Sequence, residues 1–292
     1  MQYQNKQPAE GINTSDEHPL KEFAQLLLGV GLAIVVIVLL LTFIAGTLAR
    51  YLPFTFEQSM VSALDISQVE SSPEQQYLQS LADRLVLEME LPKDMTITVH
   101  YSDSDMVNAF ATLGGNLFFF KGLLDIIESE DELAAVMGHE IAHVKYRHPI
   151  VALGKGVTLA AFAASISGFS GSGAGEWLIG NTANLSLLKF SRDQESEADA
   201  AAAEGLQRLF GHIGGARQLF IHFAELEQEM SINEMPGAES NNSRNESTIV
   251  EMFRSHPYSN NRWSQLAELA RDQNWQAGGE LTEFTFPASE SP

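Results

Sequence analysis

Cysteine is missing from this chain altogether, so no disulfide framework holds it together and its redox compartment cannot be read from thiols. Positive charge is scarce too: 17 Lys and Arg stand against 38 Asp and Glu, a formal net charge of -21 spread along the sequence. Such a surface repels nucleic-acid phosphates and does not dock electrostatically on anionic lipid. Long apolar runs are equally sparing. One, residues 26–49, carries no charge, and as a helix of about 36 Å it can cross a hydrocarbon core of about 30 Å. The run exceeds the roughly 7–15 apolar residues of a signal peptide, and a polar tail precedes it, so residues 23–50 read as one transmembrane anchor after a 1–22 tail. Lys6 and Lys21 before the span against Arg50 after it favour a cytoplasmic tail and an external catalytic domain. A second stretch, Val157 to Phe169, is too short to span and is broken by Ser165, Ser167 and Gly168.

The chemistry is concentrated in His139-Glu140-Ile141-Ala142-His143, the H-E-x-x-H pattern. Residues four apart on an α-helix lie about 40° apart around the axis, so two imidazoles project from one face and can share an ion. Glu140 is turned too far to be a third ligand but can reach a water beside the metal. Helical context is written on both sides. Ser129 with Glu132 makes a capping box, acidic residues fill the first turn, and Pro149 is expected to end the helix at His148. His148, five residues past His143, is expected to point away from the site as a helix-terminus histidine.

A catalytic zinc takes three protein ligands and keeps one position for water. Extension to H-E-x-x-H-x-x-G-x-x-H is excluded, because position 146 is Tyr and position 149 is Pro. The remaining source is a second helix, and Ser191 to Asp199 has the pattern, with Ser191 and Gln194 as another capping box. Glu195 is the favoured ligand. Asp199 shares its face and can accept a hydrogen bond from the rear nitrogen of a ligand histidine. Glu197 is the rival, but it lies on the opposite side, and its i+4 neighbour is Ala201. The alanines from 198 to 203 would let the two helices approach closely.

With both motifs in hand, the chain resembles the membrane-associated, gluzincin-type zinc metallopeptidases that include the heat-shock protease HtpX and the CAAX prenyl endoprotease. The resemblance runs from about residue 70 to about 270. It rests on Asn108-Ala109-Phe110-Ala111 with Gly114-Gly115, on Gly122-Leu123-Leu124, on the two helices above, and on Ser255-His256-Pro257 with Arg262. It implies one Zn2+ per chain on His139, His143 and Glu195, with Glu140 catalytic. It also brings His256 and Arg262 into the active site, where one of them would stabilise the oxyanion. In proteases of this type an edge strand lays out the substrate backbone, and Asn108, Ala109 and Phe110 are the candidates. The chain departs from HtpX in having one convincing span, closer to a tethered soluble protease, and nothing indicates a prenyl-binding cavity.

The fold implied is α+β and mostly helical, a zincin-like domain with a small sheet after one transmembrane helix. Residues 51–70 are a linker and 71–275 the peptidase domain. Within it, 73–91 have helical periodicity, Met95 to Tyr101 alternate as a strand, and Asn108–Thr112 with Asn116–Phe120 form a hairpin. Residues 171–175 read as a turn between two helical arms, 231–248 as a flexible loop, and 276–292 as a loose tail. The expected activity is peptide-bond hydrolysis in envelope protein quality control, by a single-pass bacterial inner-membrane protein with a periplasmic catalytic domain. The competing readings are a chaperone-like binder of unfolded proteins and a non-proteolytic scaffold. A pure binder has no use for a base beside an open zinc position.

Overall fold

The computed structural model describes residues 19–62, 72–166, 190–233, 256, 261–284 and 286. The expected turn at 171–175 and most of the 231–248 loop lie outside them. Helix α1 (Pro19–Ala49) is long and apolar enough to cross a membrane, and Leu28, Leu32, Leu40 and Phe43 along it are exposed. The 51–70 stretch expected as a linker contains a helix, α2 (Phe54–Ser62).

Helix α3 (Pro73–Glu88) opens on the Ser72 cap with Pro73 in its first turn, where a missing N–H costs nothing. It buries Leu78, Leu81 and Leu85 against a three-stranded sheet of order β1-β3-β2. Strand β1 (Thr98–Ser102) runs parallel to β3 (Asn116–Phe120), and β2 (Ala109–Ala111) runs antiparallel to it, so β2 is an edge. The hairpin expected from the glycine pair therefore forms. Its turn, Leu113–Gly115, has φ of +70° at Gly114 and +78° at Gly115, and a Cβ on Gly115 would fall 1.9 Å from Thr96 O. Phe119 is fully buried, and Phe118 stacks on His100 and Phe110, so this phenylalanine run serves to pack the sheet.

After the short α4 (Lys121–Leu124) comes α5 (Glu130–Lys145), capped by Ser129 Oγ accepting from Glu132 N at 3.1 Å. Leu133, Met137 and Ile141 are fully buried, so this helix is the middle of the domain. It ends at Lys145, earlier than expected. Arg147 takes φ of +63°, and α6 (His148–Ile166) starts directly after it, with Pro149 beginning the new helix instead of merely ending the old one. Arg147 ties the junction down by donating to Glu57 Oε1 (2.7 Å) and Leu52 O (2.8 Å), while Glu57 Oε2 accepts from Gly114 N.

Helix α7 (Arg192–Phe210) carries the expected capping box and packs its buried Ala198, Ala201 and Ala202 against α5, where Gly138 faces Ala202. Helix α8 (Gly214–Asn233) closes the other flank of α5, and α9 (Asn261–Asp272) lies on α7. The tail is not loose throughout. Thr282 accepts from Glu130 N and donates to Asp131 Oδ2, Glu283 bridges Ser129, and Phe284 and Phe286 both pack on Tyr77. Polar composition suggested a free end; pairing with the start of α5 holds it.

Candidate metal centre

His139 and His143 leave α5 one turn apart, with their Nε2 atoms 3.0 Å from each other. Across from them, Glu195 in the first turn of α7 brings Oε2 to 3.5 Å from His139 Nε2 and Oε1 to 3.6 Å from His143 Nε2. His256 Nδ1 lies 3.3 Å from His139 Nε2 and 3.2 Å from Glu195 Oε1. One ligand atom from each of these four buried residues falls within 4.8 Å of the others. Ligands about 2.0–2.1 Å from a tetrahedral zinc stand about 3.3 Å from one another, so nitrogen and oxygen donors at these separations fit that ion.

The rear of each histidine is held. His139 Nδ1–H donates to Asp199 Oδ1 at 2.9 Å, which leaves Nε2 free to ligate. Arg262 forks Asp199, Nε to Oδ2 at 2.7 Å and Nη2 to Oδ1 at 2.6 Å, and its Nη1 lies 3.2 Å from Glu195 Oε2. Behind His143 stands His148, Nδ1 to Nδ1 at 2.9 Å, and His148 Nε2 reaches Glu197 Oε2 at 3.2 Å. A proton order follows: Nε2–H of His148 donates to Glu197, and its Nδ1 accepts from Nδ1–H of His143, again leaving the inward Nε2 unprotonated. Phe190 stacks on the His143 ring with centroids 4.0 Å apart.

Glu140 is buried, and its Oε2 accepts from the Ala111 N–H of strand β2 at 2.7 Å. Its Oε1 lies 3.3 Å from His256 Nε2, within ion-pair distance but without hydrogen-bond geometry. Burial raises the Glu140 pKa, opposed by the charges of His256 and His139. For His139 burial opposes the proton, yet the Asp199 and Glu195 carboxylates lift it to about 10 in the metal-free protein. His143 has no such carboxylate behind it, and burial with the neighbouring His139 charge drives its pKa well down. Burial disfavours charge on Glu195 and Asp199, but hydrogen bonds from His139 and His256 to the first, and from Arg262 and His139 to the second, lower both.

The expected residues His139, Glu140, His143, Glu195, Asp199, His256 and Arg262 thus come together. Arg262 is fully engaged with two carboxylates, so its nitrogens act on the site through them. Of the edge-strand candidates, Asn108 is fully buried with both side-chain polar atoms unpartnered among the described residues, Ala109 is buried, and Phe110 is half-buried. Thr112 N donates to Asn116 O, and Phe120 N to Asn108 O. That parity turns the main-chain groups of Ala109 and Ala111 away from β3. Sequence reasoning erred on His148, which contacts His143 instead of pointing away. The error was to extend α5 through 148, whereas the Arg147 kink resets the direction. Glu197, weighed as a rival ligand, is the carboxylate at the end of that relay. Beside His139, Glu140 and His256 lies a recess of about 30 Å³, walled by Val136, Leu219 and Phe220. It has room for about one water.

Known proteins match the same stretch. The chain is 32% identical over 151 residues to the beta-barrel assembly-enhancing protease of Yersinia pestis, covering 46% of this chain and 29% of that protein. It is 36% identical over 109 residues to the mitochondrial metalloendopeptidase OMA1 of Schizosaccharomyces pombe, 36% of this chain and 31% of that one. With metalloprotease YcaL of Escherichia coli the identity is 35% over 102 residues, 34% and 39% of the two chains. The matched regions span about a third of these relatives. Residues 72–270 match the model for Peptidase family M48, from the cap of α3 into the last turn of α9 and through every side chain of the metal centre. With that match over more than half its length, the chain belongs to Peptidase family M48.

Proposed function

We propose that this chain is a membrane-anchored, zinc-dependent endopeptidase of envelope protein quality control, with α1 crossing the inner membrane once and the catalytic domain in the periplasm. One observation carries the reading: two imidazoles from α5 and a carboxylate from α7 converge with His256 within 4.8 Å, and Glu140 stands beside them. His139, His143 and Glu195 would hold one zinc ion per chain. When bound, zinc supplies a Lewis acid for the scissile carbonyl and a water of lowered pKa.

Glu140 accepts the proton of the attacking water at Oε1, since Oε2 is held by Ala111 N–H, and then delivers it to the leaving amine. Burial, which raises its pKa, brings the two protonation states closer in energy for that shuttle. Asp199, clamped by Arg262, keeps the His139 ring in one tautomer, so Arg262 is a positioning residue. His256 would donate to the developing oxyanion. Its Nδ1 stands among the ligand atoms, so the ring turns out of that position to take this part. The outward main-chain groups of Ala109 would pair with an extended substrate, giving affinity with little side-chain selectivity. The relatives' names, a protease that enhances β-barrel assembly and a mitochondrial metalloendopeptidase, support a role in envelope quality control. The lysine and arginine bias around α1 supports the periplasmic side.

The test is proteolysis of casein and of an unfolded envelope protein by the full-length protein, wild type against Glu140→Gln. The variant is expected to keep its zinc and to lose about 100- to 10,000-fold in rate. Wild-type rates in the variant would remove Glu140 as the base. Wild-type protein that binds both substrates without cutting them would favour the chaperone-like reading.

A further inference from the structure

Helix α6 begins at the metal centre, with His148 against His143, and runs from there along α1. The two are antiparallel. Ile150 clusters with Ala49, a Cβ on Gly154 would meet Ala45 O at 3.1 Å and Ala49 Cβ at 3.2 Å, and a Cβ on Gly46 would press into the Lys155 stem. On α1 the least exposed positions are Val38, Thr42, Ala45, Gly46 and Ala49, one helical face, while the large apolar residues around the rest of the helix are more exposed. From Ala49 down to Val38 is three turns, about 16 Å. Val38 is also the midpoint of the uncharged run 26–49. Past Lys155, α6 reads Gly-Val-Thr-Leu-Ala-Ala-Phe-Ala-Ala-Ser-Ile without a charge, and Val157 is 39% exposed.

We propose that α6 is a half-inserted membrane helix, entering the hydrocarbon beside α1 between Lys155 and Ile166 and fixing the metal centre just outside the bilayer. The proposal rests on α1 being the membrane span. Lipid is the occupant because the uncharged sequence of α6 past Lys155 runs as a helix alongside the exposed apolar α1 over half of a hydrocarbon core of about 30 Å. Lys155 and Arg50 mark the boundary, where a long basic stem can carry its charge out to the headgroups. His148 stands two turns above Lys155, about 10 Å. A bond to be cut is then presented about three extended residues from the membrane surface, so the substrates are polypeptides emerging from or lying on the bilayer.

The absence of cysteine makes the test direct in the full-length chain. Single cysteines are introduced as Val35→Cys in α1, Val157→Cys, Ala161→Cys and Ala164→Cys in α6, and Leu87→Cys on the exposed face of α3. Each is labelled with bimane in phosphatidylcholine vesicles carrying a nitroxide near the headgroup or near the acyl-chain end. The deep nitroxide is expected to quench positions 161 and 164 as it quenches 35, and the shallow one to quench 157 most. Leu87→Cys is expected to stay unquenched and to react at least about tenfold faster than Ala161→Cys with a membrane-impermeant maleimide. Maleimide labelling along α6 as fast as at 87 would overturn the proposal by putting the helix in water. Slow labelling without lipid quenching would overturn it in favour of a second protein surface. An unquenched Val35→Cys would instead sink the reading of α1 as a span, and the proposal with it.

Discussion

His139 and His143 leave the same helix one turn apart, yet they are held from behind by different chemistry. His139 rests on a carboxylate that an arginine clamps, and that carboxylate together with Glu195 lifts its pKa to about 10 against the effect of burial. His143 rests on a second imidazole whose far nitrogen meets Glu197, half exposed at the domain surface, and burial pushes its pKa down. Identical ligands in one motif can therefore differ in charge before any metal arrives. The difference teaches that His139 is gripped by ionic bonds in a dry interior, whereas His143 is oriented by a neutral relay.

The largest expected effect comes from cutting the ionic side. Asp199→Ala frees the His139 ring and leaves the buried Arg262 guanidinium with only Glu195, so zinc affinity is expected to fall about 10- to 100-fold. Stability is expected to fall by about 3–5 kcal/mol, because a buried charge loses its main partner. Chelator competition and thermal unfolding measure the two losses.

Acidity sharpens the same contrast. In the metal-free protein the His139 pKa lies above its ordinary 6.5, so that proton stabilises the fold below about pH 6.5 and is lost as pH rises through about 10. His143, whose pKa is lowered, is a neutral imidazole at neutral pH, with Nδ1 protonated and Nε2 bare. Zinc then displaces one proton, and its affinity is expected to rise by up to about tenfold per pH unit between pH 7 and 9. A slope of two protons would mean that the two histidines are alike. Removing the neutral relay has the smallest effect: His148→Ala is expected to cost about tenfold or less in zinc affinity, read by the same chelator competition.

Much of this site was legible because helices repeat every 3.6 residues and keep i and i+4 on one face. That periodicity brings His139 with His143 and Glu195 with Asp199 without any knowledge of the fold. The capping signals at Ser129 and Ser191 and the hairpin around Gly114-Gly115 are equally local: the structure has the hairpin and the full box at Ser191, while at Ser129 the hydroxyl caps Glu132 N and the Glu132 carboxylate accepts from Glu128 N instead. What sequence could not give depended on breaks and on distance. The kink at Arg147 turned His148 back toward the site. The Glu57 tie to Gly114 and Arg147 joins residues far apart in the chain, and the tail segment at Thr282 is ordered only by edges that α5 presents. Antiparallel packing of α6 on α1 was hidden for the same reason, since a stretch too short to span gives no signal of its own.

Zinc content per chain after exhaustive dialysis, compared between the wild-type protein and Glu195→Ala, tests the ligand set most directly. One zinc per chain in the wild type and close to none in Glu195→Ala is the expected result. A Glu195→Ala protein that keeps its full complement of zinc, while Glu197→Ala loses it, would contradict the assignment.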